Sequence, residues 1–267
     1  MTGTAQATRD LGVARMDRLG AVARITLNRP EVLNALNPAL VTTLARLLAE
    51  AAEDPAVRVI LLVGAGRAFA AGADIGDFTG ASPADALGLA RRAGRLNDAV
   101  AACPKPVLAA VQGHCLGAGF ELALACDLRL AAEDARFGLP EIRLGILPGG
   151  GGTVRLTRLA GGAVARQMVL TGAPIPAARA LELGLVAAVH PCALLAEAAM
   201  AQAQALANLA PFALSQAKTA LAIATDADTA TALEAEMQAF ALCFSTGDQK
   251  EGARAFLEKR APRFTGS

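Results

Sequence analysis

Two short apolar runs, each closed by glycine, constrain this chain more than any other feature. VRVILLVGAG (57–66) and PVLAAVQG (106–113) carry no polar residue on alternate positions along their apolar stretches. A half-solvated strand alternates; a run that does not is read as a strand buried on both faces. Such strands need helices to cover them, and the intervening segments supply them. Asn37-Pro38 is an N-cap followed by proline at the first helical position, and apolar spacing carries that helix to about Glu53. A polar stretch from Asp77 to Asp85 leads into a second helix ending near Ala101. Residues 11–27 alternate around Leu19-Gly20 and predict a β-hairpin, and DLRLAA (127–132) predicts another strand. Residues 135–152, rich in Gly and Pro, are expected to be mostly loop. From Thr153 onward the pattern is helical, apart from a short strand at GLVAAVH. Strand and helix alternate, then helices alone follow: an α/β core (1–200) with a helical C-terminal region (201–267).

Composition excludes several function classes. The net charge of +1 and the absence of Trp and Tyr leave neither a field nor stacking platforms for nucleic acid. No apolar run reaches the ~18 residues of a membrane span. The densest, near 192–207, is interrupted by Glu197, Gln202 and Gln204. MTGTAQATRD lacks the apolar region of a secretory signal, which predicts a cytoplasmic protein. The five cysteines (Cys103, Cys115, Cys126, Cys192 and Cys243) are odd in number and widely spaced, and are expected to be buried thiols in a reducing compartment.

GAGRAFAAGAD (64–74) invites comparison with a dinucleotide fingerprint, but GxGxxG would need glycine where Phe69 stands. The glycines need other chemistry. Three segments carry it: GRAFAAGADI (66–75), GHCLGAGFELALACD (113–127) and FGLPEIRLGILPGGGG (137–152). The first two are small-residue turns after buried strands, where another molecule can approach the backbone and helix-start amides lack acceptors. Two such amides converging on one point would form an oxyanion hole; each turn alone is equally a tight connection. Glu121 alone is equally a first-turn acid on a helix dipole, and Glu141 alone a loop carboxylate. His114 and His190 have no partner at ligand spacing and are expected to be structural.

In this order and spacing the three segments closely resemble the enoyl-CoA hydratase (crotonase) superfamily. LNRPEVLNAL (27–36), TGAPIPAARALELGLVAAV (171–189) and DQKEGARAFLEKRAPRF (248–264) extend the resemblance over essentially the whole chain. It implies a ββα-spiral core, a C-terminal helical region for trimerisation, and a coenzyme A thioester as substrate. It further implies an oxyanion hole from the amides of Ala73 and Ala118, the latter often glycine in relatives. Glu121 and Glu141 match the two glutamates of the hydratases, one for water and one for Cα. Ala73, Asp74, Ile75, Gly76, Ala118 and Lys259 are the implied substrate contacts, Lys259 toward a neighbouring subunit's nucleotide. Asp74 and Asp127 are expected mainly to organise backbone. Ile75, Phe78, Leu116, Phe120 and Leu139 are expected to line the acyl pocket, with segment 77–95 setting chain length. Glu31 stands where relatives carry a cation, so Arg29 or Arg67 is expected to substitute. Where related isomerases and dehalogenases can carry an acid, this chain has Gly149. The implied activity is hydration of a trans-2-enoyl-CoA without metal or redox cofactor, by a homotrimer or dimer of trimers. Isomerase, C–C hydrolase and decarboxylase chemistry on the same scaffold stays open, as does a non-catalytic CoA- or RNA-binding role.

Overall fold

The computed structural model describes residues 7–267; the first six residues of MTGTAQATRD lie outside it. A seven-stranded sheet runs through the core in the order β1 (Ala7–Asp10), β2 (Ala14–Leu19), β3 (Val22–Leu27), β4 (Val59–Gly64), β5 (Val107–Val111), β7 (Leu128–Ala132) and β10 (Ala188–His190). The first three strands pair antiparallel, with the expected hairpin between β2 and β3, and the rest pair parallel. A smaller sheet joins β6 (His114–Leu116), β8 (Arg136–Gly138) and β9 (Ile175–Pro176).

The apolar runs behave as two-sided strands. Ile60 and Leu62 of β4 face one hydrophobic cluster, while Val59 and Leu61 face another on the opposite side. The first cluster is covered by α1 (Pro38–Glu53), α2 (Pro83–Ala102) and α3 (Ala118–Ala125), the second by α6 (Leu195–Ala207). Helix α1 starts where the sequence predicts, the Asn37 side chain accepting from the Leu40 amide at 2.9 Å. Ser82 and Asp85 form a reciprocal capping box on α2, so the polar stretch before it ends in a cap.

The core winds as a repeated unit of one strand in each sheet followed by a helix: β5–β6–α3, then β7–β8 leading through a 3-10 turn (Pro140–Leu144) to α4 (Gly152–Thr171). This is the ββα spiral. The 137–152 segment is therefore more ordered than its Gly/Pro content suggests, because β8 gains its partners from β6 and β9. After α4 come α5 (Ala177–Glu182), α6, α7 (Pro211–Asp226), α8 (Thr229–Cys243) and α9 (Gly247–Leu257). The boundary drawn at 200/201 falls inside α6, whose Ala199, Ala203 and Ala207 pack on the sheet.

All five cysteines are free thiols. Cys103, Cys115 and Cys126 are buried, but Cys192 is exposed and Cys243 half-buried, which corrects the expectation of five buried thiols. Cys192 sits in a one-turn 3-10 segment at the end of β10, too short to cover it. Among the described residues, no helix is long and apolar enough to cross a membrane.

Candidate active site

Two loops at the carboxyl ends of β4 and β5 are laced together by backbone. The Ala70 amide donates to the His114 carbonyl and the Leu116 amide to the Ala70 carbonyl, both at 3.0 Å. On its other side the first loop pairs with Leu36: the Leu36 amide donates to Gly72 at 2.8 Å, and the Asp74 amide to Leu36 at 3.0 Å. That parallel bridge is centred on Ala73, so the amide of Ala73 itself points away from Leu36. Ala118 opens α3, where an amide has no intrahelical acceptor. Neither amide donates to any described residue, and both residues line one small apolar cleft. The backbones approach this closely because Gly72 and Gly117 face each other; a Cβ on Gly117 would lie 3.4 Å from the Gly72 Cα. Gly117 also has φ +51°, which leaves the next residue free of strain. Ala118 is outside the left-handed region, so its methyl group is compatible with the donor position.

Helix α3 is anchored at its far end by Arg129, a buried guanidinium donating to the carbonyls of Ala123 (3.1 Å), Cys126 (2.5 Å) and Leu185 (2.6 Å). Its first turn carries Glu121, only 2% exposed. The amides of Gly150 and Gly152 both donate to Glu121 Oε1, each at 2.8 Å. Oε2 accepts no hydrogen bond from the described residues. Burial raises the Glu121 pKa, and the two amides, with the Arg155 charge, oppose that rise. Gly150 is held in turn by its carbonyl, which accepts from Asn97 Nδ2 at 2.9 Å and from Arg155 at 3.2 Å. A side chain at Gly150 has no room: its Cβ would lie 2.7 Å from Glu121 Oε2.

Glu141 enters from the 3-10 turn after β8. One carboxylate oxygen, Oε2, is buried without a partner among the described residues, and Oε1 would be 3.1 Å from a Cβ on Gly117. Burial, together with the negative charge of Glu121, pushes the Glu141 pKa from 4.5 up to about 7. The two glutamates therefore sense each other across the turn that presents Ala118.

Other expected residues fall differently. Asp74 Oδ2 accepts from both terminal nitrogens of Arg29 at 3.1 Å, and its Oδ1 accepts from the Gly76 amide at 3.3 Å. It organises the loop carrying Ala73. Arg29 also donates to the Ala35 carbonyl at 2.6 Å, so its guanidinium is engaged internally. Arg67 is exposed. Ile75 and Gly76 are exposed beside the loop. Lys259 follows α9, exposed and at φ +54°, and is not among the cavity's lining residues. Asp127 accepts from the Val107 amide at 2.7 Å and pairs with Lys218 at 2.5 Å. Of the five residues expected in the acyl pocket, Phe78 alone lines the cavity. Phe120 and Leu139 are fully buried core, Phe120 packing against Phe137 with centroids 5.5 Å apart. Sequence reasoning missed Asn97, Gly150 and Gly152. The signal for Asn97 was present: it is buried on α2 between Leu96 and Val100, where helical spacing calls for apolar residues.

This fold and cleft define a class, and comparison with known proteins agrees. Residues 17–267 match the family model described as enoyl-CoA hydratase/isomerase, and the chain belongs to that family. Within the crotonase superfamily it is a hydratase-like member. The 2,3-dehydroadipyl-CoA hydratase of Escherichia coli (strain K12) is 45% identical over 257 residues, covering 96% of this chain and 99% of that one. The short-chain-enoyl-CoA hydratase of Clostridium acetobutylicum is 40% identical over 246 residues, covering 92% and 94%. The crystal structure of enoyl-CoA hydratase from Bacillus anthracis superposes with a TM-score of 0.92 at 40% identity, covering 96% and 100%.

Proposed function

We propose that the protein adds water across the double bond of a trans-2-enoyl-CoA to give a 3-hydroxyacyl-CoA, with Glu121 and Glu141 as acid–base pair and the amides of Ala73 and Ala118 as oxyanion hole. One observation carries this reading. A buried carboxylate and a half-buried one stand at the turn beside two amides without partners among the described residues, Glu121 clamped by a single oxygen and Glu141 pushed up to about 7.

The chemistry follows from that arrangement. The thioester oxygen accepts the two amides, which draws electron density from the β-carbon and stabilises the enolate that forms on attack. Clamping through Oε1 leaves Glu121 Oε2 to accept a proton from water while the water oxygen bonds to the β-carbon. Glu141, protonated near neutrality, gives its proton to the α-carbon as the enolate collapses. The carbon–carbon π bond is consumed, one C–O and one C–H bond form, and the proton now on Glu121 equals the one lost from Glu141. No metal or redox cofactor enters this scheme. The relatives' names support hydration but differ over the acyl group.

The test is hydration of crotonyl-CoA. Glu121→Gln and Glu141→Gln are each expected to lower kcat by ~10²–10⁴, the usual size of a general acid–base contribution. Near-wild-type turnover in both variants overturns the proposal. Product mass separates the sister reactions: hydration adds the mass of water, isomerisation leaves mass unchanged, and hydrolysis or decarboxylation releases a fragment.

A further inference from the structure

Four consecutive glycines, Gly149 to Gly152, supply both amides that clamp Glu121. Glycine loses more conformational freedom on ordering than any other residue, and this run has no side chain of its own to anchor it. Its conformation is nevertheless specific. Gly151 sits at φ +105°, in the left-handed region, and the amides of the residues on either side converge on one carboxylate oxygen. A concave set of amides binds an anion only while the backbone between them keeps its dihedrals. The loop must be held from outside.

Among the described residues, two side-chain donors reach this loop, and both bond the same atom. The Gly150 carbonyl accepts from Asn97 Nδ2 of α2 at 2.9 Å and from Arg155 Nη1 of α4 at 3.2 Å. That carbonyl belongs to the Gly150–Gly151 peptide, the unit lying between the two clamping amides. Asn97 is 2% exposed, and a buried amide costs free energy unless it is bonded, so the bond to the loop accounts for its place. Arg155 is steadied in turn by Asp98, whose Oδ1 accepts from Nη2 at 2.6 Å. Its guanidinium lies against Gly151, where any side chain would collide with Nη1. The charged groups that act on Glu121 are Arg155 from α4, with Asp98 behind it, and Glu141 from the 3-10 turn; α2 brings the neutral Asn97. We propose that Asn97 and Arg155 are positioning residues forming one clasp between α2 and α4, which fixes the Gly150–Gly151 peptide so that both flanking amides stay aimed at Glu121 Oε1. The proposal rests on the reading of Glu121 as the base for water. Released from the clasp, the amides no longer oppose the burial of the Glu121 charge, and its carboxyl keeps a proton to higher pH.

Infrared pH-difference spectra read the protonation of Glu121 in the resting protein. A Glu141→Gln background removes the coupled titration, and subtracting the spectrum of the Glu121→Gln/Glu141→Gln variant isolates the band. In that background Asn97→Leu and Arg155→Met are each expected to raise the Glu121 midpoint by roughly one pH unit, the size of one charge-assisted hydrogen bond. Arg155→Lys keeps the charge but not the fork, and is expected to raise it by less. Because both donors hold one peptide, the double variant is expected to shift by less than the sum. With Glu141 restored, the acidic limb of kcat/KM for hydration is expected to move up by the same step; a merely structural role would lower activity without moving the limb. Unmoved midpoints in Asn97→Leu and Arg155→Met overturn the proposal, and so does strict additivity. A wild-type midpoint in Arg155→Lys overturns it as well, since Arg155 would then act by charge alone. If Asn97→Leu does not fold, the two Arg155 variants, on a partly exposed turn of α4, decide the question. The infrared shift needs no turnover, and hydration of crotonyl-CoA by the wild type tests the hydratase reading separately, so failure of one is distinguishable from failure of the other.

Discussion

Two carboxylates beside one reacting water work only if they hold one proton between them. Glu141, at about 7, is the group that keeps it at neutral pH. Losing that proton leaves both glutamates ionised, with no acid for Cα. The kcat/KM for hydration is therefore expected to fall above about pH 7, with a single-proton slope. Water addition releases no net proton, so its equilibrium constant is independent of pH in this range. The ratio of forward to reverse kcat/KM must then be constant, and dehydration of the 3-hydroxyacyl thioester must show the same falling limb. A hydration kcat/KM that stays flat from about pH 6 to about pH 9 would exclude a proton held on Glu141 as the acid. The same shift has a stability consequence. Because folding raises the Glu141 pKa above 4.5, the folded state holds the proton more tightly. Stability is lost as pH rises from the unfolded value toward about 7, then levels off. Glu141→Gln removes that penalty, so its thermal midpoint is expected to exceed wild type by more at about pH 8 than at about pH 5, by calorimetry. Both glutamates were visible in the sequence through their flanking motifs. Their protonation was not, because it depends on what buries them.

At the scale of elements, the site is an agreement between α2, α3 and the loop before α4. Asn97 holds the Gly150 carbonyl, and the Gly150 amide holds Glu121, so the helix lining the cleft also fixes the Glu121 carboxylate. Gly150→Ala tests this linkage. The new Cβ would lie 2.7 Å from Glu121 Oε2 and 3.1 Å from Asn97 Nδ2, so loop or carboxylate must move. Activity is expected to fall by ~10² or more, comparable to losing a positioned acid–base group, with helical circular dichroism retained. Gly94→Ala, on α2 with open space around it, is the control: it is expected to raise helix stability by roughly 0.5–1 kcal/mol. Wild-type turnover in Gly150→Ala would show that the cradle does not position Glu121. Elements with local signals, such as the capped α1 and the β2–β3 hairpin, could be read in advance. The three strands of the small sheet could not: β6, β8 and β9 span two or three residues each, and exist through partners far along the chain.

At the scale of the molecule, the C-terminal helices are the unfinished part. Helices α7 and α8 bury no residue within their own chain. Across α7 to α9, Leu221, Met237, Phe240, Phe256 and Leu257 are 70%, 59%, 66%, 83% and 81% exposed. Scattered apolar side chains on a surface are ordinary, but helices with no inward face leave an apolar surface that another chain can cover. The trimer or dimer of trimers implied by the family resemblance would supply that cover. Light scattering is expected to give a mass of three or six chains of 27.0 kDa at micromolar concentration. A double substitution, Phe256→Asp with Leu257→Asp, places two desolvated charges in the interface and is expected to release smaller species. Association also stabilises by mass action, so the wild-type thermal midpoint should rise with protein concentration, and the variant's should not. A wild-type monomer whose midpoint is independent of concentration would leave these helices uncovered in solution and reject the assembly. Lys259 follows α9 directly, beside this same surface. If its contact with a neighbour's nucleotide exists, dissociation must weaken coenzyme A binding along with assembly, and the two losses must track one another across protein concentration.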